Sequence, residues 1–188
     1  MKLTLIRHGQ TNYNLKDLCN GKPSPKVYLT PLGKKQAALA ARKLAKEKFD
    51  VIFISELRRS RQTADYINAY HKVKLIKDKR LNDRSMGEFE DRPATLFYNW
   101  RDAQTNRWTC RPKGGESYEQ LKKRAYSFLK DLSKKDYANV LVVSHLPILK
   151  VIRGYFKGLS NEKMDALTDK QVHNTKIYRF KLGTLKKS

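Results

Sequence analysis

Long hydrophobic runs are missing from this chain. No apolar stretch approaches the ~20 residues that a membrane helix needs, so no membrane role is expected. Cysteine is scarce as well: Cys19 and Cys110 are the only two. They lie far apart and form neither a CxxC pair nor a metal-ligand spacing. A disulfide scaffold is excluded, and a reducing, cytoplasmic setting is expected. The start, MKLTLIRHG, runs from one lysine through a short apolar stretch into arginine and histidine. It has no long h-region and no small-residue cleavage site, so a secretory signal is not expected. Repeats, low-complexity tracts and Pro/Gly/Ser linkers are absent, which leaves no domain boundary and predicts one domain over residues 1–188. Acidic residues are few, 18 against 41 lysines and arginines, for a net charge of +23.

What is present is enough to fold. Apolar residues make up 39% of 188 residues, so disorder is excluded despite a mean hydropathy of −0.73. A chain of this size buries ~70% of its unfolded surface. The basic excess suits nucleic acid, anionic membranes or phosphorylated small molecules. It is spread widely, with only residues 81–120 balanced, at −1. No basic stripe interleaved with aromatics is visible, so nucleic acid is not the expected partner.

The pattern along the chain alternates strands with helices. Lys2–Ile6 reads as a buried strand, and a breaker-rich loop runs from Gly9 to Gly33. Thr30-Pro31 opens a helix, with threonine as N-cap and proline at its first position; its apolar side extends to about Glu47. Val51–Ile54 and Val73–Ile76 read as strands, with a helix over Glu56–Ala69 between them. A loop over Lys77–Pro93 and helices over Thr95–Asp102 and Tyr118–Leu132 follow. Val140–Val143 is continuously apolar, as a strand covered on both faces should be. A helix over Pro147–Phe156 and a strand over Thr175–Leu182 complete the pattern. The fold class predicted is α/β, a three-layer α/β/α sandwich around a mostly parallel central sheet.

In such sheets the ligand crevice lies beyond the carboxyl ends of the strands, and unusual residues collect there. Arg7-His8-Gly9 follows the first strand. Arg58, Arg59 and Arg61 follow the second, at a helix start, where the helix dipole disfavours cations. A bound anion held by guanidinium forks and helix amides resolves that conflict. Ser144-His145 follows the fourth strand. The loop after the third carries Asp83, Glu88 and Glu90, which either neutralise arginines or donate a proton to a leaving oxygen.

Taken in order, RHGQTxxN, SxLxRSxQTA, LxDxxxGxxE, GGES and VVSH resemble the histidine phosphatase superfamily, the phosphoglycerate mutase-like proteins. The resemblance spans Leu5 to about Gly158 and implies that family's fold. It implies His8 as the nucleophile that becomes phosphohistidine, with Arg7, Arg59 and His145 around the phosphoryl group. Asn14 matches the asparagine of the first motif. Asn20-Gly21 stands where the family often has Gln-Gly, a possible substrate contact. The proton donor falls at Asp83, where many members carry glutamate; Glu88 and Glu90 stay open as substitutes. Leu146 replaces a frequent glycine and should narrow the pocket. The segment Arg92–Tyr118 is expected to roof it, with Phe97, Tyr98, Trp100, Trp108 and Tyr118 as core or wall. Neighbouring arginines should lower the pKa of His8 and oppose protonation of His145.

These readings point to a metal-independent phosphomonoester hydrolase acting on a small phosphorylated metabolite, with no cofactor and no clustered metal ligands in the sequence. The alternative is a cofactor-dependent mutase-type phosphotransferase. Gly114 comes only 31 residues after Asp83, little material for a lid that retains a bisphosphate.

Overall fold

The computed structural model describes residues 1–167 and 173–183. Five strands form one sheet in the order β3-β2-β4-β1-β5. They are β1 (Lys2–Arg7), β2 (Val51–Ile54), β3 (Lys74–Lys77), β4 (Asn139–Ser144) and β5 (Ile177–Lys181). β1, β2, β3 and β4 are parallel, and β5 runs antiparallel along β1. Seven helices occur among the described residues: α1 (Asn12–Leu15), α2 (Pro31–Leu44), α3 (Arg58–His71), α4 (Ala94–Asp102), α5 (Tyr118–Leu132), α6 (Leu146–Lys157) and α7 (Asn161–Asp165). None is long and apolar enough to cross a membrane.

Strand alternation divides the core into two layers. Ile6, Ile52, Ile54, Leu141 and Val143 face α2 and α3, where Ala40, Leu44, Ala64 and Ile67 meet them. Leu3, Leu5, Phe53, Val140 and Val142 face the other way, against Leu121, Phe128, Ile148 and Val151 of α5 and α6. Both faces of β1, β2 and β4 are covered, which is why β2 and Val140–Val143 of β4 read as unbroken apolar runs. α2 opens as its sequence predicts: Thr30 Oγ1 accepts from the Gly33 amide, with Pro31 in the first turn.

The departures are local. Thr175 lies outside β5 and adopts a φ of +55°, so the last strand is shorter than alternation suggests. α1 is a four-residue turn inside the long first loop, closed by a reciprocal bond pair between Thr11 and Asn14. A third apolar cluster, Cys19, Phe89, Ala94 and Phe97, ties that loop to the segment after β3. It roofs the carboxyl ends of the parallel strands.

Candidate active site

β1, β2 and β4 end side by side, in register: Arg7 pairs with Ser144, and Ile54 with Val143. The residues that follow therefore converge. His8 and His145 bring their ring centroids to 5.0 Å, and Arg59 enters between them from the first turn of α3. Its single Nε–H is shared, 3.2 Å from His8 Nε2 and 3.2 Å from His145 Nδ1. The rest of the fork reaches Asn20, at both its side-chain oxygen and its carbonyl, and Asp83 Oδ2 at 2.9 Å. Asp83 Oδ2 also lies 3.5 Å from His145 Nδ1. A cavity of about 570 Å³ opens above these groups, and Arg7, His8, Arg59 and Asp83 line it.

The hydrogen bonds assign the tautomers. His8 Nδ1 lies 2.8 Å from the Gly9 carbonyl, which only accepts, so Nδ1 carries the proton and Nε2 keeps a lone pair. His145 Nδ1 accepts from Arg59, so its Nε2–H donates to Ser55 Oγ at 2.8 Å. Both imidazoles are held well below the ordinary 6.5, chiefly by burial and then by the Arg59 charge. Burial is a larger cause than the neighbouring arginines, because His8 is 3% exposed and His145 0% exposed.

That shift has a consequence for stability. The folded chain keeps both rings neutral where an unfolded chain, titrating near 6.5, binds protons. Stability from these groups is complete above about pH 6.5 and falls as pH drops below it, by at most ~1.4 kcal/mol per pH unit for each ring. His8→Asn should therefore lose less stability than wild type between pH 7.5 and 5.5 in urea unfolding. An equal loss in both would show that His8 titrates normally in the fold.

Of the three candidate carboxylates, only Asp83 reaches the cavity. Glu90 is spent bracing loops: it accepts from the Gly21 and Met86 amides, each at 2.7 Å. Glu88 accepts from the Lys113 amide at 3.1 Å. Gly21 likewise sits off the cavity wall, its amide turned to Glu90. A Cβ there would lie 1.9 Å from the Arg84 carbonyl, so close backbone approach explains this glycine. Asn14 and Asn20 do line the cavity. Phe97, Tyr98, Tyr118 and Leu146 line it too. Trp100 packs on Phe89 and Phe97 instead, and Trp108 stacks on Tyr118. The other two arginines of α3 are surface groups: Arg58 donates to the Pro25 carbonyl and Arg61 pairs with Asp65.

Several supporting residues carry no local signature in the sequence. Thr63 Oγ1 accepts from the Gly9 amide and Asn174 donates to the His8 carbonyl, fixing the backbone at His8 and Gly9. Arg124 holds the Asp83 loop, donating to the carbonyls of Arg80, Asn82 and Asp83 while gripping both Glu116 oxygens. Glu116 is the acid of the GGES motif, which had no assigned role. Arg124→Met should lower kcat/KM about 10- to 100-fold through a displaced Asp83, more than it lowers stability. A variant of wild-type kcat/KM would remove Arg124 from this account.

Far apart in sequence, His8, Asp83 and His145 bring potential ligand atoms within 4.8 Å of one another. The centre of that set nonetheless belongs to a cation already, because both facing imidazole nitrogens accept from Arg59. A metal ion there would meet a guanidinium at contact distance. The donor set fits an anion better than a second cation.

The pattern of the histidine phosphatase superfamily (branch 1) matches residues 3–186. The chain belongs to that superfamily. A Hydrogenobacter thermophilus relative named "Putative phosphoserine phosphatase 2" is 35% identical over 169 residues, 87% of this chain and 82% of its own. Fructose-2,6-bisphosphatase TIGAR B of Danio rerio is 38% identical over 140 residues, 71% of this chain; the match spans only 53% of that protein. Among solved structures, the mycobacterial glucosyl-3-phosphoglycerate phosphatase superposes with a TM-score of 0.79 at 25% identity, over 95% of this chain and 88% of that one. Histidine phosphatase members thus share both this chain's sequence pattern and its fold.

Proposed function

We propose that this chain, a single histidine phosphatase domain, hydrolyses small phosphate monoesters through a phosphohistidine at His8, without a metal. The observation that carries the reading is the neutral His8 Nε2, a lone pair facing the Arg59 guanidinium at the floor of the cavity. A phosphoryl group entering there meets charge from Arg7 and Arg59, where its equatorial oxygens gather negative charge. Asn14 and Asn20 stand as further polar contacts on the wall.

His8 Nε2 attacks phosphorus in line, and the P–O bond to the leaving group breaks as the N–P bond forms. The substrate phosphate takes over Arg59 from Asp83, and Asp83, protonated in that complex, gives its proton to the leaving oxygen. The carboxylate that results accepts a proton from water, whose oxygen attacks the phosphohistidine and returns His8 to its neutral form. His145, its Nε2–H donating to Ser55 Oγ, accepts from Arg59 at Nδ1 and so holds the guanidinium in place for the transferring group. The mutase alternative requires water to be kept from the phosphohistidine. The span from Asp83 to Gly114 holds one short turn, Gly87–Phe89, and α4, and only its part up to Arg101 lines the cavity; so short a roof favours hydrolysis.

Asp83→Asn tests the proton transfer. It should lower kcat about 100-fold or more for alkyl phosphates and far less for p-nitrophenyl phosphate, whose leaving group needs little protonation. Glu88→Gln and Glu90→Gln should show no such leaving-group dependence. Equal loss on both substrates in Asp83→Asn would reduce Asp83 to a counter-ion of Arg59. Activity that vanishes in chelator and returns with a divalent ion would contradict the metal-free mechanism.

A further inference from the structure

The longest stretch of the chain without an acidic residue runs from Leu18 to Lys46, and it holds seven lysines and arginines. It covers α2 and the loop before it. On α2, Leu32, Lys35, Leu39 and Arg42 recur at three- and four-residue steps, so they form one stripe, and all four are exposed. Exposed Lys46 follows just past the helix end. α3 lies beside α2 on the same side of the sheet. Its outer side carries Tyr66, 38% exposed, and Tyr70, 54% exposed. A groove of about 400 Å³ runs between the two helices, lined by Ala38, Ala41 and Ala69 together with Arg42, Tyr66 and Tyr70. The acid on its wall, Asp65, is paired with Arg61 at 2.6 Å. Glu47, the acid that ends the stretch, is held by Lys2 and Arg179. None of the groove residues lines the catalytic cavity.

We propose that this α2–α3 face binds single-stranded nucleic acid, its phosphates on Lys35, Arg42 and Lys46 and its bases on Tyr66 and Tyr70. The site is separate from the catalytic cavity and does not depend on the phosphatase reading. Cations beside exposed aromatic rings suit an unpaired strand: phosphates take the charges, and every base offers a π-face to stack. The linear sequence hides this combination, because the cations lie on α2 and the tyrosines on α3. Charge decides against a second copy of this chain: a two-fold contact joins the same patch on both subunits and would set cations against cations. A helix lying in a membrane surface separates its apolar face from its charged one, whereas Lys35 and Arg42 alternate with Leu32 and Leu39 on one stripe. A duplex keeps its bases stacked inside, out of reach of the tyrosines.

The test is fluorescence anisotropy with labelled oligo(dT) and oligo(U) of about 20 nucleotides, long enough for one site, and without a terminal phosphate. Duplex DNA of equal length and phosphatidylserine vesicles are the comparison probes. At about 0.1 M salt, single strands should bind more tightly than the duplex. Their log K should fall against log salt with a slope of about −2 or steeper, as for three neutralised phosphates. Tyr66→Ala combined with Tyr70→Ala should weaken single-strand binding about tenfold or more and leave duplex binding unchanged, because stacking is removed and charge is not. Tyr66→Phe combined with Tyr70→Phe should keep the affinity. Arg42→Gln should flatten the salt slope by about one phosphate's share. Circular dichroism, with kcat/KM for p-nitrophenyl phosphate unchanged, checks that each variant folds. The tighter of oligo(dT) and oligo(U) names DNA or RNA as the strand. No binding, single strands bound no better than duplex, affinity unchanged in the double alanine variant, or binding to vesicles alone overturns the proposal.

Discussion

Replacing His8 by asparagine is expected to lower kcat/KM for p-nitrophenyl phosphate by on the order of 10⁴-fold or more, the scale of losing a covalent nucleophile. Asparagine keeps a polar group near the Gly9 carbonyl but offers no basic lone pair toward Arg59. The choice of residue matters because His8 is buried against His145. Alanine would leave a void and cost roughly 1–3 kcal/mol of stability, which would blur the kinetic result. Folding of the variant, followed by circular dichroism and urea unfolding, must accompany the rates. A folded His8→Asn protein that retains a tenth of wild-type activity would remove His8 from the chemistry.

The second large effect is expected at Arg59. Its guanidinium joins two histidines, Asn20 and Asp83 from three separate loops. Arg59→Met should cost about 2–4 kcal/mol of transition-state stabilisation, roughly a 30- to 1000-fold loss in kcat/KM. It also leaves the Asp83 carboxylate without its ion-pair partner, so stability should fall as well. Arg59→Lys should rescue little, since an ammonium lacks the planar fork that spans both histidines and the carboxylate. Arg58→Ala is the matched control one residue away: Arg58 is exposed and donates to Pro25, so its loss should leave kcat/KM within about twofold of wild type. If Arg58→Ala were the damaging change, the register assigned to α3 would be wrong.

The parts of this site that local sequence reveals are those where one strand hands over to one turn. Val142–Val143 followed by Ser144-His145 announces both a buried strand and the group at its end. The three arginines after β2 announce a conflict with the helix dipole, although only Arg59 resolves it inward. The strand order and the antiparallel β5 rest on contacts between distant segments, which periodicity does not report. The same holds for Arg124 and Glu116, whose grip on the Asp83 loop spans more than thirty residues. Carboxylate choice was open for a physical reason: Asp83, Glu88 and Glu90 share one short loop, and only the backbone path decides which faces the cavity and which binds amides. The depressed histidine pKa followed from arginines visible in sequence, but its larger cause, burial, belongs to the packed fold.

The most direct measurement is the covalent state of the enzyme during turnover. Rapid mixing with substrate, an alkaline quench and peptide mass spectrometry should find one added phosphoryl group on His8, stable to base and lost in acid. His8→Asn should carry none, and Asp83→Asn should still form the phosphoenzyme from p-nitrophenyl phosphate. A phosphoryl group on His145, on a serine or on an aspartate, or turnover with no labelled histidine at any time point, would contradict the account.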